Sequence, residues 1–92
     1  MNVVVTGASQ GIGRAIANAF AARDGAHVAL VARTEAKLEA VAAACREHGG
    51  TPLVVPTDVT DDAAVAEMAD TVHDAWGPPD VLVNNAGAFT YA

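Results

Sequence analysis

The chain has 92 residues, 52% of them hydrophobic, with five Lys and Arg against eleven Asp and Glu for a formal net charge of −6. That length predicts one domain over residues 1–92, close to the lower limit at which a core suffices, and the acidic balance excludes nucleic acid and anionic membrane surfaces as expected partners. The lone Cys45 rules out an internal disulfide or thiolate cluster, and with no leader pattern and no bilayer-length apolar run the expectation is a soluble, cytoplasmic protein.

Strand and helix patterns alternate along the chain, the signature of a parallel sheet covered by helices. Val3 to Thr6 reads as a first strand and runs straight into Gly7-Ala8-Ser9-Gln10-Gly11-Ile12-Gly13. Ile12, Ile16, Ala19 and Phe20 recur at helical spacing and predict a helix from residue 11 to about 24, closed by Gly25. His27 to Ala32 is the second strand. Thr34 can cap a second helix with a buried stripe of Leu38, Val41, Ala42 and Cys45, ending at Gly49-Gly50. Leu53 to Val55 is the third strand. Thr60 or Asp61 starts a third helix with Val65, Met68, Ala69, Val72 and Trp76 on one face, and Gly77-Pro78-Pro79 ends it. Val81 to Val83 is the fourth strand. Right-handed crossovers applied to this succession predict a Rossmann-like, three-layer α/β fold with strand order 3-2-1-4 and helices on both faces. Ligands of such sheets bind where the order reverses, beside the turn that follows the first strand.

The glycines in that turn are the first chemical signal. A strand, a glycine-rich turn and a helix together bring backbone N–H groups against a phosphate, because glycine permits a sharp turn with no Cβ in the way. Gly7, Ser9, Gln10, Gly11, Ile12 and Gly13 are therefore expected to line phosphates, although Ser9 and Gln10 also suit an ordinary polar turn. The second signal lies at the end of the second strand. There an acidic residue would take a ribose 2′-hydroxyl and select NAD, but Ala32-Arg33 stands in its place. Arg33 can meet a 2′-phosphate with paired charged hydrogen bonds, so NADP is the expected cofactor and NAD the lesser one. A solvated surface arginine is the competing reading. Asp58, after the third strand, fits either a helix cap or a ligand contact. His27, His48 and His73 share no face or ligand spacing, and no metal site is expected.

The spacing Gly7, Gly11, Gly13, with Thr6, with Asp58-Val59, and with Asn84-Asn85-Ala86-Gly87 after the fourth strand, resembles the short-chain dehydrogenase/reductase family over nearly the whole chain. The resemblance implies an NADP(H)-dependent oxidoreductase interconverting a small-molecule alcohol and a carbonyl, of which 3-oxoacyl reduction is one type, acting as a homo-oligomer. It implies that the Asp58 carboxylate accepts from the adenine amino group and that the Val59 backbone N–H meets a ring nitrogen. Asn84, Ala86 and Gly87 would line the cofactor riboses and stabilise the sheet. Many members carry a second basic residue inside the glycine loop, where this chain has Gln10.

The family's proton transfer uses a Tyr with a Lys four residues later, and a Ser that orients the substrate oxygen. These lie beyond the Asn-Asn-Ala-Gly motif. Tyr91 has no such lysine after it and Lys37 is the sole lysine, so no catalytic residue is expected within the 92 residues. The chain thus reads as the amino-terminal cofactor part of an enzyme, inactive alone and prone to self-association through an unpaired fourth strand. The alternative is a stand-alone nucleotide-binding or partner-binding module without catalysis.

Overall fold

The computed structural model describes residues 1–23 and 25–84. Among them four strands and three helices alternate: β1 Asn2–Thr6, α1 Gly11–Ala21, β2 His27–Ala32, α2 Glu35–Glu47, β3 Thr51–Pro56, α3 Asp62–Trp76 and β4 Val81–Val83. The strands form one parallel sheet of order β3-β2-β1-β4, the order expected from the sequence.

That order dictates the layers. From β1 the chain steps to β2 and on to β3 in one direction, so right-handed crossovers put α1 and α2 on the same face. It then returns past β1 to β4, and the reversed direction puts α3 on the other face. The side chains follow the two-residue strand period. Val3 and Val5 of β1 and Val28 and Leu30 of β2 pack with Ala17, Leu38, Val41 and Cys45. Val4, Ala29 and Val31, one residue out of phase, pack with Val55, Met68 and Val72. Each fully buried Leu30 or Leu38 stabilises the fold by roughly 1.5–3 kcal/mol relative to an exposed side chain. Burial pushes the Cys45 thiol pKa up, against the opposing charge of Arg46.

Several boundaries differ from the sequence expectation. α1 ends at Ala21 rather than near residue 24, and a tighter three-residue bond from Arg23 N–H to Phe20 O (2.9 Å) follows it. Its buried positions are Gly13, Ala17 and Ala21, while Ala19 is exposed and Ile12 is 70% exposed. The helix lies so close to the sheet that small residues face it, and Ile16 and Phe20 only flank the contact. In α3, Ala69 is exposed, and Val65, Met68, Val72 and Trp76 carry the packing. β3 extends to Thr51 and Pro56 because it is an edge strand, where proline sacrifices no ladder bond.

The helix ends follow local chemistry. α2 closes with Gly50 N–H donating to Cys45 O and Gly49 N–H to Arg46 O, both 3.0 Å, with Gly49 at φ +92°. This is the paired-bond helix stop that favours glycine at the left-handed position. Thr34 precedes α2 but its side chain makes no capping bond. Asp61, not Thr60, caps α3: its Oδ1 accepts from Ala63 N–H (2.9 Å) and Ala64 N–H (3.3 Å).

At the amino ends of the strands, Asn2 N–H donates to Asp80 Oδ2 and Asp80 N–H donates to Asn2 O, both 2.7 Å. The Asn2 amide also donates to Trp76 O (2.9 Å), and Trp76 stacks on His27 with ring centroids 4.8 Å apart. These contacts hold the approach to β4 against β1 and β2. They leave the opposite, carboxyl end of the sheet to carry the site.

Candidate functional site

Because the strands are parallel, every residue that follows a strand emerges at the same end. β1 delivers Gly7 to Gln10 there, β2 delivers Arg33, and β3 delivers Asp58 and Val59. Two backbone bonds fix these exits relative to one another: Ala8 N–H donates to Val31 O (3.3 Å), and Thr57 N–H donates to Ala32 O (2.8 Å). Ala8 and Thr57 are both buried, and the Thr57 hydroxyl is satisfied by Val55 O at 3.1 Å. The glycine turn and the Arg33 corner are therefore braced by the sheet itself.

The glycine turn passes through left-handed backbone at Gly7 (φ +65°) and Gly11 (φ +59°), a region that other residues enter only with strain. It opens directly into α1. The position before α1 is Gln10, whose side chain makes no cap, and the first turn of the helix contains no acid. α3 in contrast has both the Asp61 cap and Asp62 in its first turn. The first N–H groups of α1 have no intrahelical partner and no side-chain cap, so they are free to bind an anion with the favourable sense of the helix dipole.

A cleft of about 380 Å³ joins the three strand exits. Gly7, Ser9 and Gln10 form one wall, Ala32, Arg33, Thr34 and Lys37 a second, and Thr57, Asp58, Val59 and Thr60 the third. Six of the residues expected from the sequence thus share one cleft: Gly7, Ser9, Gln10, Arg33, Asp58 and Val59. Gly11 and Ile12 sit in the first turn of α1 outside the lining, and Gly13 is buried on the sheet side of the helix. Asn84 Oδ1 accepts the Thr6 hydroxyl at 3.1 Å, tying the end of β4 to β1. Ala86 and Gly87, with Asn85, lie outside the described residues.

Asp58 does not cap α3. Its Oδ1 accepts from the Thr60 hydroxyl (2.6 Å) and the Thr60 N–H (2.9 Å), an Asx turn that shapes the third wall. Those two bonds, helped by the positive charge of Arg33, hold its pKa below the usual carboxylate range. Asp58 is consequently an anionic acceptor at neutral pH. Among the described residues no group of three His, Cys, Asp or Glu is placed to hold a metal ion.

Sequence reasoning missed Lys37 as a cleft residue. It lies in the first turn of α2, four residues past Arg33, and its side chain reaches two clefts. The second, about 610 Å³ between α1 and α2, is also lined by Arg14, Asn18 and Val41 and shares Ser9 and Gln10 with the first. The only trace in the sequence is that the sole lysine follows so soon after Arg33. Chemically, the arrangement offers N–H donors to one phosphate, cations to a second anion and a carboxylate to an amino-bearing base.

The sequence profile described as short chain dehydrogenase matches residues 1–91. The chain is 45% identical over 84 residues to a fatty acyl-CoA reductase of Acinetobacter baylyi, a stretch covering 91% of this chain and 28% of that protein. An L-sorbose reductase from Gluconobacter frateurii, solved with NADPH and L-sorbose, superposes with a TM-score of 0.88 at 41% identity, over 97% of this chain and 34% of that one. A metagenomic short-chain oxidoreductase solved with NADP gives a TM-score of 0.90 at 44% identity, over 96% of this chain and 39% of its own. The chain therefore spans roughly a quarter to two fifths of the length of these relatives. A family match over nearly all of its residues, with solved relatives at 41–44% identity superposing at TM-scores of 0.88–0.90, makes this chain a member of the short chain dehydrogenase family.

Proposed function

We propose that the chain is the amino-terminal, cofactor-holding part of an NADP(H)-dependent oxidoreductase that interconverts an alcohol and a carbonyl. The observation that carries the cofactor choice is the corner after β2. Ala32 and Arg33 line the same cleft as the glycine turn, with no carboxylate in the position that would repel a 2′-phosphate. The cofactor-bound relatives support the reading, since their structures hold NADPH or NADP.

The residues present fit such a cofactor. The uncapped first turn of α1 offers N–H donors to the pyrophosphate, and Gly7 allows the backbone to approach it. Arg33 supplies a planar fork of donors for the 2′-phosphate. Thr60 occupies Oδ1 of Asp58, which leaves Oδ2 to accept from an adenine amino group. Asn84 acts through the sheet, holding β1 and β4 together below the crevice. The bound nicotinamide would exchange a hydride with the substrate carbon. A Ser and a Tyr-x-x-x-Lys outside these 92 residues would orient the substrate oxygen and move its proton. The substrate is assigned only as an alcohol or carbonyl, with 3-oxoacyl thioesters one candidate type, and the intact enzyme is proposed to be a cytoplasmic homo-oligomer.

The test is a titration of NADPH and NADH into the full-length protein and its Arg33→Ala variant. One charge-assisted pair of roughly 1.5–3 kcal/mol predicts about a tenfold to hundredfold preference for NADPH, lost on substitution. Equal affinities in the wild type would refute the assignment. Turnover with alcohols, ketones and acyl thioesters then separates an enzyme from a binding module.

A further inference from the structure

We propose that Lys37 is the second cation of the 2′-phosphate site and that it sets, together with Arg33, the preference for a ribose 2′-phosphomonoester. This rests on the NADP(H) reading above and adds a residue to it.

Charge is distributed unevenly in this chain. Its net charge is −6 and it has five Lys and Arg in all. Three of those five, Arg14, Arg33 and Lys37, line the two adjoining clefts, where Asp58 is the only carboxylate among the described residues. Asp58 is itself engaged by both Thr60 donors. A surplus of positive charge in a concave site on an acidic protein selects for an anion.

Within that surplus Lys37 is singular. Among the described residues it is the one basic side chain that lines both clefts, in company with Ser9 and Gln10, so it stands where the glycine turn meets the Arg33 corner. It occupies the third position of α2. A cation there opposes the helix dipole, so the macrodipole does not favour lysine at this position. The glycine loop carries uncharged Gln10 on the same wall. A doubly charged phosphate beside Arg33 would otherwise be met by a single cation. Lys37 supplies the second from α2: a point charge on a flexible stem, complementing the rigid fork of Arg33. Arg14 lines only the interhelical cleft and is not assigned to the phosphate.

The experiment compares adenosine 2′,5′-bisphosphate with 5′-AMP, by calorimetric titration of the full-length protein at one fixed salt concentration. The variants are Lys37→Gln, Lys37→Arg, Arg33→Ala and Arg14→Gln. The expected result is a loss of about tenfold for the bisphosphate in Lys37→Gln, with 5′-AMP held within about twofold. Lys37→Arg restores the ratio, and Arg14→Gln leaves it unchanged. A Lys37→Gln variant that keeps the wild-type ratio would overturn the proposal while leaving the role of Arg33 intact. Equal loss for both ligands would assign Lys37 to the packing of α2 and also overturn it. A wild-type protein that does not distinguish the two ligands would overturn the NADP(H) reading, and this proposal with it.

Discussion

Gly50 lies where the turn between α2 and β3 passes the last residue of α1, and adding one methyl group there tests the packing of the whole α1–α2 layer. A Cβ at Gly50 would fall 2.7 Å from Ala21 Cβ, 2.8 Å from Ala21 Cα and 3.0 Å from Ala21 O. Carbon atoms rest at about 3.5–4.0 Å, so turn and helix must separate by about 1 Å. Neither side yields easily. Ala21 is fully buried and has no rotamer to change. The turn is pinned by Gly50 N–H donating to Cys45 O (3.0 Å) and Thr51 N–H donating to Ala26 O (2.9 Å). Overpacking of this kind costs about 1–3 kcal/mol, and the reduced freedom of the unfolded chain returns about 0.4–1 kcal/mol. Gly50→Ala is therefore expected to destabilise by roughly 1–2 kcal/mol in urea denaturation with an unchanged m-value. A Gly50→Ala protein as stable as wild type would refute this account of the contact.

Two further outcomes follow from the loop before α3. Asp61→Ala removes the acceptor for Ala63 and Ala64 N–H and is expected to cost about 1 kcal/mol of stability, read from the denaturation midpoint; Asp61→Asn should retain most of it. Asp58 contributes a pH dependence. Its folded pKa lies below the ordinary carboxylate value, so the unfolded chain takes up the proton first as pH falls. The stability it contributes is present above the unfolded value of about 3.9 and is lost as pH falls through the folded value. Asp58→Asn should accordingly show a shallower loss of stability than wild type across the acid range, and parallel acid profiles would contradict the assignment.

The sheet order and most of the cleft were legible in the sequence because both depend on local signals with a narrow set of global solutions. Apolar runs such as Val3 to Val5 and His27 to Ala32 alternate with helical periods, and right-handed crossovers then leave 3-2-1-4 as the arrangement. Parallel strands place every strand-to-helix exit at one end, so the order of residues alone groups Gly7, Arg33 and Asp58. Tertiary structure decided what depends on distance between elements. The buried face of α1 proved to be Gly13, Ala17 and Ala21 because close approach to the sheet rewards small residues, which a hydrophobicity pattern ranks below Ile12. Asp58 reads in sequence as either cap or ligand contact, and only the fold shows Asp61 taking the cap and Thr60 engaging Asp58. Lys37 looks like one more solvated helix residue until α2 is docked beside the glycine turn. Periodicity reports which side of a helix is apolar, whereas the reach of a long charged side chain across a cleft is set by where the neighbouring helix lies.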